Sequence, residues 1–504
     1  MKSSVHLFTQ HNNHFALDVG SGAIHLLSDP AFRLLEWMVK SPAAFGHHLC
    51  KRGQGWDDGA PKASCPTKTI PQDIPNEVVQ DVGADNIHSV WGELYSLYRG
   101  GMLFSADDAE DIEPPSKTPL KALCMHIAHD CNLRCKYCFA DTGGFGAERG
   151  CINIHTAKRA VDFLVERSEN RRNLEIDFFG GEPLLAFDIV KETVEYARGL
   201  EEKHGKRFRF TLTTNGLLLN DDAIVFINRE MSNIVLSLDG RREVNDALRP
   251  TINGKGSYDL IVPKFQKLLN ERQGDYFIRG TFTAKNLDFA SDVLHIADLG
   301  FRNISIEPVV LEDGHELAIC EEHLPEIFRE YDRLAEILAR GYGGVTQPPP
   351  EGVPSADGGG CVPNFFHFNV DLEGGPCVYK RLRGCGAGGE YAAVTPDGSI
   401  YPCHQFAGRE KYRMGSVLDG TFTPNSNLTV NHIKAREGCS DCWAKYFCGG
   451  GCAAANLNIN GEINTPYRIG CEMQKKRLEC AIALAVHAQP PPSADGTPSA
   501  AGGL

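Results

Sequence analysis

Between residues 120 and 310 the chain alternates short apolar runs with longer stretches in which apolar positions recur every three to four residues. Short strands feeding amphipathic helices are the signature of parallel βα units. Six units are predicted, with strands at Ala122 to Ala128, Leu174 to Phe179, Phe208 to Thr214, Ile234 to Asp239, Phe277 to Phe282 and Ile304 to Val309, and helical patterns such as His155 to Arg167 and Tyr258 to Arg272 between them. A closed barrel of this kind has eight units, so six imply an α/β fold built on an open, partial (β/α)6 barrel over residues 118–340, its mouth closed by another domain or a large substrate.

The pattern changes on either side. Residues 1–105 hold strand runs at Val5 to Phe8, Phe15 to Val19 and Ala23 to Leu27, with the Asp18-Val19-Gly20-Ser21-Gly22 break suited to a hairpin, then helical patterns at Pro30 to Val39 and Ile87 to Leu97. Strands followed by helices predict a small separate domain, and residues 51–75, rich in Gly, Pro, Lys and Asp, an inserted loop. Residues 341–360 read as a linker, 361–485 as a Gly- and Cys-rich domain with little periodicity, and 486–504 as a disordered, low-complexity tail.

A chain of 504 residues has room for several domains. Its 51 Lys+Arg against 65 Asp+Glu give a net charge of −14, and no basic block accompanies aromatic platforms, which argues against a nucleic-acid partner. No apolar run reaches the roughly 18 residues of a membrane span, and Met1-Lys2-Ser3-Ser4-Val5-His6 lacks the apolar region of a secretory signal, so a cytoplasmic protein without a membrane partner is expected. Eighteen cysteines are too few for a disulfide scaffold and many for a reducing compartment, where clustered thiols serve as metal ligands.

The first barrel strand leads into Cys131-Asn132-Leu133-Arg134-Cys135-Lys136-Tyr137-Cys138, a C-x3-C-x2-C loop at the strand end where barrels place active sites. Three thiolates can hold three irons of a cubane and leave the fourth open; a zinc knuckle completed by His129 is the alternative that the spacing allows. In this βα context the segment resembles the radical S-adenosylmethionine (SAM) superfamily. The resemblance implies that SAM chelates the open iron and is cleaved reductively to a 5'-deoxyadenosyl radical. It implies cofactor contacts for Gly180, Gly181 and Glu182, which precede Pro183 after the second strand, and for Ser237 and Arg249, whose guanidinium can pair with a carboxylate. Tyr137 is expected near the adenine or as insulation of the cluster, and Thr213, Thr214, Asn215 and Glu307 as lining of the mouth.

A second array, Cys439-x2-Cys442-x5-Cys448-x3-Cys452 followed by Cys471 and preceded by Cys385 and Cys403, resembles the SPASM extension of radical SAM peptide-modifying enzymes. That implies three 4Fe-4S clusters: one binding SAM, auxiliary cluster II on Cys439, Cys442, Cys448 and Cys471, and auxiliary cluster I on Cys385, Cys403 and Cys452. Cys377 is a possible fourth ligand of cluster I, which otherwise keeps an open iron for a substrate thiolate. Two zinc-ribbon sites are the alternative. Cys50, Cys65, Cys124, Cys151, Cys320, Cys361 and Cys480 have no matching partner spacing.

The N-terminal strands and helices resemble a winged-helix-like recognition element of ribosomally synthesised, modified peptides (RiPPs), which holds a leader as an added strand. Ala23-Ile24-His25, Cys385-Gly386-Ala387-Gly388 and Tyr401-Pro402-Cys403-His404-Gln405-Phe406 are similar to the maturases of SCIFF peptides, six cysteines in forty-five residues. That implies intramolecular thioether formation, from Cys sulfur to carbon, in a Cys-rich precursor peptide with a leader, and a low-potential electron donor such as a flavodoxin or ferredoxin. Anaerobic sulfatase maturases share the barrel and the cysteines, but place an Asp where this chain has His404 and lack the leader-binding domain. An iron-sulfur scaffold or electron carrier would leave the SAM-contact positions without a use. His404 and Glu307 are candidate bases by location alone, and no catalytic side chain is assigned.

Overall fold

The computed structural model describes residues 4–40, 70, 74–107, 111–113, 118–341, 363–372, 382–424, 428 and 432–488. In the N-terminal part β1 (Val5–Gln10) and β2 (Asn13–Asp18) form an antiparallel hairpin, and β3 (Ile24–Leu27) pairs with the other side of β2. His11 and Asn12 take φ of 49° and 63°, the left-handed conformation that a two-residue hairpin turn requires. The Asp18 carboxylate organises the next turn, accepting from the Ser21 amide (3.1 Å) and hydroxyl (2.6 Å) and from the Ser105 amide (3.1 Å). Helix α1 (Asp29–Lys40) buries Leu34, Leu35 and Met38 with Val90, Trp91 and Leu94 of α3 (Ile87–Arg99). Between them α2 (Asn76–Val82) was not predicted, because seven residues with one buried side chain give no readable period. Most of the 51–75 insertion lies outside the described residues.

The six predicted parallel strands are all present and pair in sequence order: β4 (Ala122–Ala128), β5 (Asn173–Gly180), β6 (Arg207–Thr214), β7 (Asn233–Ser237), β8 (Asp275–Phe282) and β9 (Asn303–Pro308). Helices α4 (Ile154–Arg167), α5 (Phe187–His204), α6 (Asp221–Glu230), α7 (Arg242–Leu248), α8 (Tyr258–Asn270), α9 (Phe289–Asp298) and α10 (Leu324–Ala339) connect or follow them. Asn153 and Asn220 start α4 and α6 by accepting from the amides three residues on, at 2.9 Å each. Along β5 and β6 the residues Leu174, Ile176, Phe178, Phe208, Phe210 and Leu212 are buried in the main core with Val190 and Val194 of α5. Strand alternation sends the intervening Asp177, Phe179, Thr211 and Thr213 to the other face.

The sheet does not stop at β4. β11 (Tyr391–Val394) pairs with it in parallel, and β12 (Ser399–Tyr401), β13 (Gly415–Ser416) and β14 (Thr421–Phe422) continue antiparallel, while β10 (Asn364–Phe365) adds to β9 at the far side. β4, flanked on both edges, is buried at every position. Short helices α11 (Lys445–Cys448) and α12 (Ala453–Asn460) precede a 21-residue helix, α13 (Arg468–Ala488). The sequence shows little periodicity over this stretch, and no helix was predicted there. α13 is packed by α10 and by β1, so its apolar residues are spread around it and leave no single stripe to read. It also runs past 485, to Ala488, so its last three residues fall within the expected tail. The N-terminal sheet lays Phe8, Phe15 and Leu17 on Leu478, Ile482 and Ala483 of α13, and His6 stacks on Trp443 at 3.6 Å.

Candidate active site

β4 delivers Asp130 and Cys131 to the open end of the barrel. The loop that follows is held by its backbone: the Arg134 and Lys136 amides donate to the Pro250 and Leu248 carbonyls at 2.8 and 2.9 Å, and the Cys138 amide to Cys135 at 3.2 Å. Cys131 Sγ accepts from the Leu133 amide (3.4 Å) and from Asn215 Nδ2 (3.6 Å). Burial pushes the Cys131 and Cys135 thiols up to about 11 and 12, with the positive Arg249 acting against it. Such thiols become thiolates at neutral pH only when a metal displaces their protons. Among the described residues no three His, Cys, Asp or Glu side chains close around a single-ion position. The three loop thiols instead lie within electrostatic reach of one another.

Gly180 (φ 122°) and Gly181 end β5 against this loop. A Cβ on Gly180 would lie 2.3 Å from the Ala128 carbonyl oxygen, and one on Gly181 would lie 2.0 Å from that of Asp130, so no other residue permits the approach. Glu182 is fully buried. Its oxygens accept from the Leu184 amide (3.0 Å), the Thr214 hydroxyl (2.8 Å) and the Asn215 amide (2.8 Å), and burial raises its pKa to about 6. In this structure Glu182 therefore positions Asn215, whose side chain reaches Cys131 and Asn132. Thr214 and Asn215 belong to this network and are more than lining.

Arg249, at the C-terminal end of α7, is 7% exposed. Its Nη1 donates to the Tyr137 hydroxyl (3.0 Å) and lies 3.9 Å from Asp239 Oδ1, while the Tyr137 hydroxyl lies 2.8 Å from both Asp239 oxygens. Arg249 Nε is buried with no partner among the described residues, an unsatisfied donor beside the cysteine loop that a bound carboxylate would satisfy. The chain thus offers three thiols for a cluster and a buried cation for SAM, and the residues fit the pair. Asp239, buried and held at about 6 mainly by burial, anchors both Tyr137 and Arg249; the sequence reading passed over it, although it lies two residues after Ser237. Ser237 itself is half-buried at the end of β7.

Residues 125–278 match the radical SAM superfamily. The match runs from β4 into β8 of the barrel. The chain is accordingly an enzyme of the oxidoreductase kind. It is similar to a cysteine-type anaerobic sulfatase-maturating enzyme of Clostridium novyi (strain NT), 26% identical over 389 residues that cover 72% of this chain and 96% of that protein. The mycofactocin maturase MftC of Mycolicibacterium smegmatis is 26% identical over 352 residues, 68% of this chain and 81% of that protein. A solved structure of native anSMEcpe with bound AdoMet and a peptide shares the fold at a TM-score of 0.57 and 20% identity, over 73% of this chain and 99% of that one.

Beside the radical SAM domain the remaining cysteines fall into two groups. Cys439, Cys442, Cys448 and Cys471 line one cavity with Lys445 and Lys475. Cys385, Cys403 and Cys452 lie within electrostatic reach of one another, and burial pushes Cys403 up to about 12. Cys403 and Cys138 share a packed cluster with Phe145, Phe179 and Phe406. Cys377 lies outside the described residues, as do Cys50, Cys65 and Cys361. Of the others, Cys124 and Cys480 are buried and Cys151 is exposed.

The candidate bases differ. Burial, aided by Arg279, lowers His404 to about 4, so it is neutral at pH 7, and it packs 4.9 Å from the Phe179 ring. Burial pushes Glu307 up, but His367 (3.5 Å), Arg279 (3.8 Å) and Arg477 outweigh it and hold it at about 2, far too acidic for an efficient base at neutral pH. Asp177, raised to about 7 by burial and by Glu175, has the better-matched pKa; it belongs to no motif, and the alternation of β5 is the signal that places it opposite the core face. Because Glu307 titrates lower when folded than its ordinary 4.5, its stabilising contribution is complete above that value and is lost as pH falls toward about 2. His367, lowered by burial from 6.5 to about 3, acts in the same direction by resisting protonation in the fold. Glu307→Gln should therefore flatten the acid limb of a stability-versus-pH curve, measured by urea unfolding between pH 6 and 3; an unchanged limb would refute this role.

Proposed function

We propose that this radical SAM enzyme modifies a ribosomal peptide, installing thioether cross-links between cysteine sulfurs and carbon in a Cys-rich precursor. The observation that carries the reading is that Cys403 and Cys138 belong to one apolar cluster, which is in keeping with a thiolate site on the same side of the barrel as the cysteine loop. The N-terminal sheet supports it: β3 is the outer strand, its free edge has no strand partner among the described residues, and Leu26 on it is 56% exposed, the arrangement that peptide strand addition uses. The relatives named as sulfatase and mycofactocin maturases, and the solved structure with a peptide bound, are in keeping with a polypeptide substrate.

When bound, the cluster and SAM would supply radical chemistry for hydrogen-atom abstraction from the peptide. The chain's own residues do the rest of the work of positioning. Arg249 and Ser237 hold the cofactor, Asp239 and Tyr137 fix Arg249, and Glu182 with Asn215 orients Cys131. Cys385, Cys403 and Cys452 would hold auxiliary cluster I, with Cys377 as a fourth ligand or with a peptide thiolate in its place, and Cys439, Cys442, Cys448 and Cys471, which line one cavity, would hold auxiliary cluster II. Reducing equivalents come from a low-potential flavodoxin or ferredoxin, in the cytoplasm.

The sulfatase-maturase relatives favour a second reading, oxidation of one Cys or Ser to formylglycine. Mass spectrometry of a Cys-rich peptide encoded beside this protein, after anaerobic co-expression and thiol alkylation, separates the two. Thioether formation is expected as a loss of two hydrogens per link with the linked cysteine unalkylated. An aldehyde trapped by a hydrazide would establish formylglycine instead, and an unmodified peptide alongside SAM cleavage would reject this substrate.

A further inference from the structure

Arg436 lies between the two groups of auxiliary cysteines. It is 3% exposed, so its charge is placed inside the Cys-rich domain at a cost that needs a return. Its carbonyl accepts from the amide of Cys439 at 3.2 Å, on the cavity-lining group, while Nη1 donates to the carbonyl of Gly451 at 3.0 Å, one residue before Cys452 of the other group. Gly450 takes φ 92°, and a Cβ there would come within 2.8 Å of Nη1, so the glycines between Cys448 and Cys452 are what let the guanidinium lie against the connecting loop. Cys439 and Cys448 on one side, and Cys385 and Cys452 on the other, all lie within its electrostatic reach. The two lysines of the cavity are matched by carboxylates, Lys445 by Asp107 at 2.5 Å and Lys475 by Glu472 at 2.8 Å.

We infer that Arg436 is a shared electrostatic element of the two auxiliary sites, a fixed positive charge that favours the reduced state of the clusters on both sides. This rests on the reading that both groups hold iron-sulfur clusters. A thiolate-ligated cubane gains negative charge when it accepts an electron, and a guanidinium in a low-dielectric setting offsets that charge, so its presence raises the reduction potential. Arginine suits the task because its charge persists under burial.

The test uses the full chain with Cys131, Cys135 and Cys138 replaced by Ala, so that only the auxiliary clusters report, reconstituted anaerobically and titrated with dithionite while the reduced signal is followed by electron paramagnetic resonance. Arg436→Gln is expected to cut the reduced-to-oxidised ratio roughly tenfold at the potential that half-reduces the parent chain, equivalent to about 59 mV for one electron, and Arg436→Lys to restore most of it. Unchanged titration in Arg436→Gln with iron retained would overturn the inference. If Arg436→Gln loses iron, Arg436→Lys decides: retained iron with a near-parental titration supports a charge role, and loss in both marks a packing residue and overturns it. A parent chain without the iron of two cubanes would overturn the cluster reading itself, a failure visible before any Arg436 variant is made.

Discussion

Replacing Cys131, Cys135 and Cys138 together by Ala is expected to lower release of 5'-deoxyadenosine from SAM by at least ~10^3-fold, to the level without enzyme, because all three proposed ligands of the SAM-binding cluster are removed at once. The fold should survive the change. The loop is fixed by backbone bonds from Arg134 and Lys136 to the Leu248 to Pro250 segment, and by Arg134 Nη1 to the Cys131 carbonyl at 2.6 Å, none of which uses a sulfur. Iron on the auxiliary cysteines should persist. Chromatographic assay of 5'-deoxyadenosine under dithionite, with iron analysis on the same sample, checks both points; surviving cleavage would refute the site.

Asp239→Ala should be the most damaging single change to the barrel. It strips the carboxylate from a largely buried network and leaves Arg249 as a nearly buried cation whose remaining side-chain hydrogen bond among the described residues is to the Tyr137 hydroxyl. Breaking a buried pair from one side typically costs about 3–5 kcal/mol. The sharper expectation concerns the double variant Asp239→Asn/Arg249→Met, which removes both charges and should recover most of the lost stability while still failing to bind SAM. Urea unfolding and SAM titration separate these effects. A loss under 1 kcal/mol in Asp239→Ala would mean that Arg249 is held in some other way.

The barrel was legible because each strand is a short apolar run beside an amphipathic helix, and β4 was bounded to the residue. The cysteine array was legible as a spacing, but its division into two groups came from the family resemblance; Cys439, Cys442, Cys448 and Cys471 line one cavity. What the sequence hid depends on contacts far apart along the chain. Asp239 has no motif of its own, and its importance comes from Tyr137 and Arg249 meeting it in space. Arg436 reads as one charge among many until the fold sets it between two groups of thiols. Glu307 looked like a base from its strand-end position, but Arg279, His367 and Arg477 decide its acidity. α13 was missed because a helix packed on several sides loses its stripe.

The parallel pairing of β11 with β4 also bears on how the protein is made. A ribosome emits β4 roughly 260 residues before it emits β11, and at ~5–20 residues per second the exposed edge of β4 waits on the order of 13 to 50 s for its neighbour. During that interval an apolar strand with unpaired amides is open to pairing with another nascent chain. Slower initiation, lower temperature or abundant holdase chaperones should therefore raise the soluble yield of the full chain, and a C-terminal truncation before Tyr391 would make that transient vulnerability permanent.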